Sequence, residues 1–391
     1  MSMKVSDASK HIDPHFGPDP YFEKLIKTAS CSAQHLEYMF RILWPLLASY
    51  RKVIVAQRAM TTYTALGQIA VGDRDLEYLG PGHVLYTDYP GKGKTLLAKI
   101  PAIVLGGTYG RFQGAIDNQP SDFTGNRIID IDEHERKFFR LIKGPAYRDI
   151  ILADEVNRNS SRTLAALLER LGEGKVTIFG EAESMGPAFG LFTMNPIETE
   201  GTFPLPEALL DRIMFKLTGE WFVAEQFADI SERTDEYDRL RGELKQVCAI
   251  ETIHEIREFF HKEVYMDAGL LEKRMGHFAE ASNDPHRFGY LKAFEKMFGD
   301  RPLIRSGLSG RGFVHWVGAS RAMAAFRYRN YVLPEDALKV LLPVLRHRIN
   351  FEKGALSTLT SELQLRDPNK TTWDTNETTD VVLMQLIREA W

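Results

Sequence analysis

Tyr89-Pro90-Gly91-Lys92-Gly93-Lys94-Thr95 is the stretch of this 391-residue chain from which its fold can be predicted. A β-like run at residues 84–86 precedes it, and an apolar helix opens directly after it. This order is typical of a loop that binds phosphate groups, because glycines let successive N–H groups turn toward the phosphates and the helix N-terminus adds a favourable dipole. Lys94 would place its ammonium on the phosphates, and Thr95 would offer its hydroxyl to Mg²⁺. The predicted phosphate-binding residues are Pro90, Gly91, Lys92, Gly93, Lys94, Thr95 and Leu96.

One position departs from the usual pattern of such loops. The full GxxxxGK[ST] spacing has a further glycine where this chain has Asp88. A short string of glycine and lysine is also typical of an exposed turn, so the loop alone leaves both interpretations open. The choice between them depends on a second motif downstream.

The second motif is Ile150-Ile151-Leu152-Ala153-Asp154-Glu155, which predicts a buried strand that ends in two carboxylates. By itself, such a run is also typical of a strand that ends in solvated acids. Together with the loop it predicts a hydrolytic site, in which Asp154 holds Mg²⁺ and Glu155 activates the attacking water. Asn195 follows a third β-like run and is a candidate for orienting that water, although Asn-Pro is also typical of a turn.

The alternation of short β-like runs and helical stretches between residues 84 and 220 predicts a parallel sheet between helices. Segments 128–139 and 176–181 have the pattern of hairpins that leave this sheet, and beyond Trp221 the apolar period is helical. We therefore predict an α/β fold with three layers, α/β/α, followed by a helical domain. The predicted divisions are an N-terminal arm with helices at 1–46, a nucleotide-binding domain at 47–220, and a helical lid with C-terminal helices at 221–391.

Composition favours a folded cytoplasmic protein. Hydrophobic residues make up 44% of the chain and charged residues 26%, as in ordinary soluble domains. Cys31 and Cys248 lack the spacing of a zinc site or a redox pair. We expect no membrane span and no signal peptide, because no apolar run is long enough for either. The formal net charge of -4 offers no overall positive field to a nucleic-acid backbone, so we expect no nucleic-acid partner.

Over about residues 53 to 350, the chain resembles the MoxR-type AAA+ ATPases. The family's phosphate loop has the form V-P-G-x-G-K-T, which residues 89–95 follow, and acidic residues at the position of Asp88 are known in the family. The strings that carry the resemblance are Val55-Ala56-Gln57, Pro120-Ser121-Asp122-Phe123-Thr124-Gly125, Gly144-Pro145, Leu152-Ala153-Asp154-Glu155-Val156-Asn157-Arg158, Val176-Thr177-Ile178-Phe179-Gly180-Glu181, and Asn195-Pro196-Ile197-Glu198 running to Pro204-Leu205-Pro206-Glu207-Ala208-Leu209-Leu210-Asp211-Arg212.

The resemblance implies an ATPase that binds ATP and Mg²⁺, with Val55 among the residues at the nucleotide. It implies that Arg212 is an arginine finger that reaches the γ-phosphate held by a neighbouring subunit, although Asp211-Arg212 is also typical of a solvated pair at a helix end. For the second arginine sensor, in the lid, Arg321 lies in a string that lacks the family's proline. Arg311 lies at the family's distance before the string at residues 331–336, so the resemblance favours Arg311.

The resemblance further implies a homo-oligomer, most often a hexameric ring, that remodels, assembles or activates a client protein complex. Its usual companion is a protein with a von Willebrand factor A domain. Two alternatives stay open at this point. One is a nucleic-acid-stimulated motor, since related AAA+ proteins with similar hairpins move on DNA. The other is a nucleotide-binding subunit with little turnover, which Asp88 leaves open.

Overall fold

The strands of the computed structural model lie almost wholly between residues 83 and 217. The structure describes residues 31–55, 57–72, 79–87, 93–195, 202–219, 224–366 and 375–391. The strands are β1 (His83–Thr87), β2 (Tyr109–Gln113), β3 (Gly125–Ile131), β4 (Lys137–Lys143), β5 (Ile150–Asp154), β6 (Lys175–Ile178), β7 (Glu181–Ser184), β8 (Phe189–Met194), β9 (Ile213–Leu217), β10 (Ile304–Ser306) and β11 (Asn350–Phe351).

Helices flank these strands and make up most of the chain after β9. The α-helices are α1 (Ala33–Tyr38), α2 (Trp44–Val53), α3 (Arg58–Ile69), α4 (Lys94–Val104), α5 (Pro120–Thr124), α6 (Ser161–Leu168), α7 (Glu207–Arg212), α8 (Ala224–Gly242), α9 (Ile250–Glu263), α10 (His277–Asn283), α11 (Pro285–Phe288), α12 (Lys292–Met297), α13 (Gly310–Phe326), α14 (Pro334–Leu345), α15 (Ala355–Arg366) and α16 (Thr375–Ala390). The π-helical segments are Met39–Leu43, Glu169–Glu173 and Leu270–Gly276, and the 3₁₀ turns are Pro145–Tyr147 and Val156–Arg158.

The central sheet has the strand order β2-β5-β8-β1-β9, and all of its pairings are parallel. Thr87 lies opposite Met194, so the carboxyl ends of the strands meet along one side, which we call the carboxyl edge. His83 lies opposite Ile213 at the other side, the amino edge. In open parallel sheets, ligands bind outside the carboxyl ends where the strand order reverses, which here is the end of β1. The predicted phosphate loop therefore follows the strand at this position.

Helices cover both faces of the sheet. Along β1, Val84 and Tyr86 point into one hydrophobic core and Leu85 into the other. Helices α2, α3 and α4 and the C-terminal helices pack in the first core, and α5, α6 and α7 pack in the second. The predicted three-layer α/β/α architecture with a parallel sheet is confirmed.

Two antiparallel hairpins leave the sheet at the segments predicted from the sequence. β3 pairs with β4, and β6 pairs with β7. An ion pair between Arg127 and Glu181 joins the two hairpins, and Arg127 also lies over the ring of Phe179. Phe139 and Phe179 stay 73% and 71% exposed, so the hairpins present apolar side chains to the solvent.

The N-terminal helices share the core of the sheet. Residues 1 to about 20 are rich in Pro, Gly, His and Asp without an apolar period, which predicts a poorly ordered arm, and they lie outside the described residues. Leu43 and Leu46 are fully buried in the same core as Val84. The division predicted between residues 46 and 47 thus falls within α2, a helix that packs on the sheet domain.

The helical period of residues 233–248 and 334–349 predicts two helices that reach Cys248 and Ile349, and both end earlier in the structure. The helix predicted to reach Cys248 is α8, which ends at Gly242, because the N–H of Val247 bonds to the carbonyl of Val104 at the end of α4 (2.7 Å). The helix predicted to reach residue 349 is α14, which ends at Leu345. The chain then turns toward the sheet and pairs β11 with β10. Long-range pairings of this kind override a local helical period.

Helix α13 packs closely against the backbone at the amino edge of the sheet, and Gly318 is the helix residue at this contact. A Cβ added at Gly318 would lie 2.2 Å from the carbonyl oxygen of Val71, and Val71 bridges to Pro81 just before β1. The obstructing atom belongs to the backbone, so it cannot swing away as a side chain would. The missing side chain therefore sets how closely the helical domain approaches the sheet.

Gly318→Ala should lower the free energy of unfolding by about 1–3 kcal/mol, because the added methyl overpacks this contact. Gly310→Ala is the matched control in the same helix, since nothing lies within 4 Å of its added Cβ. The control should leave stability unchanged or raise it by up to about 1 kcal/mol. Urea unfolding of both variants measures the difference in unfolding free energy. Equal effects would contradict the tight packing of α13 at Gly318.

Candidate active site

The described part of the phosphate loop begins at Gly93, directly before α4. Gly93 has φ +75° and ψ +18°, a left-handed conformation that favours glycine. Its carbonyl accepts the N–H groups of Leu96 (3.0 Å) and Leu97 (3.1 Å), so Lys94 and Thr95 open the first turn of the helix. N–H groups of a first turn point toward the preceding loop, where they suit an anion. Pro90, Gly91 and Lys92 lie outside the described residues.

Asp154 ends β5 at the carboxyl edge, and both of its carboxylate oxygens have partners. Oδ1 accepts the hydroxyl of Thr193 from the neighbouring strand β8 (2.5 Å). Oδ2 accepts Nε (3.1 Å) and a terminal nitrogen (2.6 Å) of Arg111 on β2. The side chain of Asp154 is only 14% exposed, so the guanidinium offsets the cost of burying its charge.

Glu155 follows Asp154 in a left-handed backbone conformation, with φ +51°. Such a conformation is uncommon for a residue with a side chain, and it is concentrated at functional sites. The N–H of Glu155 donates to the hydroxyl of Thr193 (2.9 Å), and its carboxylate lies 3.2 Å from Nε of Arg158. One hydroxyl, that of Thr193, thus orients both acidic residues. Thr193 and Arg111 could not be identified from the sequence, because only strand pairing brings them to Asp154, whereas Arg158 reaches Glu155 through the 3₁₀ turn Val156–Arg158.

Asn195 and Val55 lie on the same side of the sheet as the two acids. Asn195 directly follows β8, whose last residue lies opposite the last residue of β1. Helix α3 runs against the direction of β1, since the N–H of Gly82 bonds to the carbonyl of Gly67 near its end (2.8 Å). Val55, just before this helix starts, is therefore carried toward the carboxyl edge. The ends of β1, β5 and β8 thus lie at one edge of the sheet.

Arg212 lies on the opposite side of the sheet. It ends α7 directly before Ile213, which pairs with His83 at the amino edge. The four residue steps of β1 separate the two edges by about 13 Å. The Arg212 side chain packs on Gly172, where an added Cβ would lie 2.1 Å from its Nε. Within one chain, Arg212 is thus held apart from Asp154 and Glu155.

Arg311 lies with Arg212 at the amino edge. Its terminal nitrogen is 3.3 Å from the carboxylate of Asp211, the residue before Arg212. Arg321 lies ten residues further along α13, about 15 Å away along the axis, and its guanidinium is 3.2 Å from the ring of His261. Of the two sensor candidates, only Arg311 is placed beside the predicted finger.

The residues at the carboxyl edge fit Mg²⁺ bound together with a nucleotide. Hard oxygen donors suit this ion, and in nucleotide sites it keeps waters and phosphate oxygens and takes only one or two protein ligands. The Thr95 hydroxyl and the Asp154 carboxylate are donors of this kind. No cluster of three or more His, Cys, Asp or Glu residues suited to a metal occurs in the described segments, and such a nucleotide site does not require one.

His347 joins the helical domain to the start of β9. The residue is buried, and its Nε2 lies 2.7 Å from the carbonyl oxygen of Ile213. Burial, and then the neighbouring Arg348 cation, hold the pKa of His347 well below its usual 6.5. The neutral ring is therefore part of the folded state.

Two family models match the chain. Residues 83–215 match the ATPase family associated with various cellular activities (AAA), and residues 300–367 match the AAA lid domain. None of the described helices has both the length and the apolarity that crossing a bilayer requires. Fold, site and matches together define an ATPase of the AAA+ class, which binds nucleotide.

Characterised and solved relatives narrow this class. The chain is 32% identical to Chaperone MoxR1 of Mycobacterium tuberculosis over 71% of its own length and 70% of that protein. It is 30% identical to Protein MoxR of Paracoccus denitrificans over 68% of its own length and 79% of that protein. A crystal structure of a candidate ATPase from Cytophaga hutchinsonii, 29% identical, covers 90% of this chain and 96% of its own, with a TM-score of 0.72. The chain belongs to the MoxR-type family of AAA+ ATPases.

The depressed pKa of His347 predicts a pH dependence of stability. The unfolded chain takes up a proton at this residue near pH 6.5, whereas the folded chain does not, so stability falls as pH is lowered through that value. His347→Gln keeps an N–H donor for Ile213 but cannot titrate. Between pH 7.5 and 5.5, the wild type should lose about 1 kcal/mol more unfolding free energy than the variant. Parallel losses in denaturant titrations would contradict the buried neutral ring.

Proposed function

We propose that this chain is a subunit of a Mg²⁺-dependent, homo-oligomeric ring ATPase of the cytoplasm that remodels, assembles or activates a partner protein complex. The observation that carries the proposal is the separation of charges across the sheet. The acids lie at the carboxyl edge, and Arg212 and Arg311 lie about 13 Å away at the amino edge. A second copy of the chain can supply the arginines that one copy cannot bring to its own acids.

At the carboxyl edge, the residues from Pro90 to Leu96 hold the phosphates, and Val55 lies at the nucleotide. Lys94 offsets phosphate charge, and Thr95 and Asp154 hold Mg²⁺, which supplies further charge stabilisation when bound. Glu155 accepts a proton from the attacking water, and Asn195 orients that water. The contacts of Thr193 support these roles, because its hydroxyl binds the Asp154 carboxylate and the backbone N–H of Glu155 and so fixes the metal ligand relative to the backbone that carries the base.

At the amino edge, Arg212 acts on the γ-phosphate of the neighbouring subunit. Arg311 acts beside it, and the pairing of Arg311 with Asp211, the residue before Arg212, supports this role. A cation that arrives from a neighbour stabilises transition-state charge only in the assembled ring. Such an arrangement makes hydrolysis depend on assembly, and we propose a hexamer.

The proposed work of the ring on other proteins rests on the family. One relative is named as a chaperone, and the resemblance adds a companion with a von Willebrand factor A domain. The formal net charge of -4 argues against nucleic acid as the partner, since no overall positive field attracts a phosphate backbone. The exposed Phe139 and Phe179 offer apolar contacts instead.

Steady-state ATP hydrolysis per subunit should rise with protein concentration in step with the molecular mass of the assembly. Arg212→Ala should still assemble and bind nucleotide, but lose about a thousandfold in turnover, the usual magnitude for a lost arginine finger. Light scattering recorded at each concentration provides the mass. Activity that does not depend on concentration, or full activity of the variant, would refute the ring with a finger supplied by a neighbour.

Arg311→Ala should lower turnover by about tenfold or more, because the neighbour's γ-phosphate loses a cation. Arg321→Ala is the matched control on the same helix, and its guanidinium contacts the ring of His261 instead. The control should keep hydrolysis near the wild-type rate. The reverse ranking in the same assay would assign the sensor to Arg321.

A further inference from the structure

We propose that Asp211 is a positioning residue that holds Arg212 and Arg311 in a fixed arrangement in which both reach the nucleotide of the neighbouring subunit. This inference rests on the proposed function. Asp211 itself would touch neither nucleotide nor water; it would act through the arginine beside it in sequence and the arginine beside it in space.

The Asp211 carboxylate contacts three residues of the helical domain. Oδ1 accepts the hydroxyl of Ser309 (2.6 Å) and lies 3.8 Å from Nε of Arg348, and Oδ2 lies 3.3 Å from a terminal nitrogen of Arg311. Ser309 is also the N-cap of α13, where its hydroxyl oxygen accepts the N–H of Gly312 (2.9 Å). The carboxylate is therefore fixed at the entry of the helix that carries Arg311.

A buried guanidinium fixes the backbone around Arg212. The side chain of Arg348 is 2% exposed. One of its terminal nitrogens donates to the carbonyls of Asp211 (3.1 Å) and Ile213 (2.5 Å), and the other donates to that of Met214 (3.2 Å). Carbonyls on both sides of Arg212 are thus held by one residue of the helical domain. These bonds are not solvated, so they resist local rearrangement.

Three residues of the helical domain, Ser309, Arg311 and Arg348, thus meet one short segment of the sheet domain, residues 211–214. A rotation of the helical domain must then move Arg212 and Arg311 together rather than one after the other. In a ring, one subunit donates both arginines to the nucleotide of its neighbour. Because of this link, the position of both arginines depends on the position of the lid in the donating subunit. Asp211 is the member of this link that directly precedes Arg212 in the chain and contacts Arg311 through its side chain.

The test is complementation between two full-length variants. Asp211→Ala leaves its own nucleotide site intact but should misplace the arginines that it donates, lowering turnover by about 10- to 100-fold. Lys94→Ala disables its own nucleotide site but donates normal arginines. Mixed rings of the two should regain Mg-ATP hydrolysis, because an Asp211→Ala site is then completed by a Lys94→Ala neighbour. A misfolded Asp211→Ala subunit could not regain activity in this way.

Two further variants sharpen the assay. Asp211→Asn keeps an acceptor for Ser309 but loses the charge that attracts Arg311, so its turnover should fall between wild type and Asp211→Ala. In both variants, turnover should fall while affinity for nucleotide in the variant's own site is retained. Glu207→Ala is the matched control, because Glu207 lies on the same helix and also contacts the helical domain, through Arg305 (3.5 Å). It should hydrolyse ATP at the wild-type rate.

A parallel mixture of Arg212→Ala with Lys94→Ala distinguishes a failure of the Asp211 role from a failure of the ring arrangement. If that mixture recovers activity while Asp211→Ala with Lys94→Ala does not, the trans finger stands and the role of Asp211 is overturned. If the Arg212→Ala mixture fails to recover, the ring arrangement itself is overturned. Wild-type turnover of Asp211→Ala alone would also refute the positioning role.

Discussion

The parallel pairing of β1 with β8 on one side and β9 on the other is the constraint on which the rest of the structure depends. It brings the loop that follows β1 and the residue that follows β8 to one edge of the sheet. It also places the end of α7 at the opposite edge, because Ile213 pairs with the first residue of β1. The short, fully buried strand β1 thus determines that the acids lie on the side of the sheet where β1 ends, and it sets their distance from Arg212.

At both edges, acidic side chains are held by hydrogen bonds and ion pairs within the chain. At the carboxyl edge, Asp154 and Glu155 are each paired with an arginine of their own chain and tied to the Thr193 hydroxyl. At the amino edge, Asp211 is held by Ser309 and faces Arg311. Fixed partners of this kind pre-organise charged groups, so little reorganisation remains when the reaction begins. The described acidic side chains at both edges are therefore held by partners within their own chain.

The fold was largely predictable because its signals are local. The central strands are buried on both faces and are read as apolar runs, as at residues 150–153, and the helices keep their period over several turns. Helix ends were less predictable, as at Gly242 and Leu345, since contacts with distant segments end those helices. The short β10 and β11, and α15 with its many serine and threonine residues, escaped detection because few residues carry their pattern. Of the candidate site, the acids and the loop were found, whereas Thr193 and Arg111 were not, because only strand pairing brings them to Asp154.

By itself, the sequence determined the chemistry this protein has available: a glycine-rich loop with Lys94 and Thr95, two acids at the end of an apolar run, and the motifs of an AAA+ ATPase. Residue type and short spacing suffice for that, since each motif lies within one turn or one strand. Only the tertiary structure decided which groups meet. Arg311 pairs with Asp211 across 100 residues, and Arg348 reaches Ile213 across 135. No local periodicity encodes such separations, because they follow from how the helical domain packs against the amino edge of the sheet.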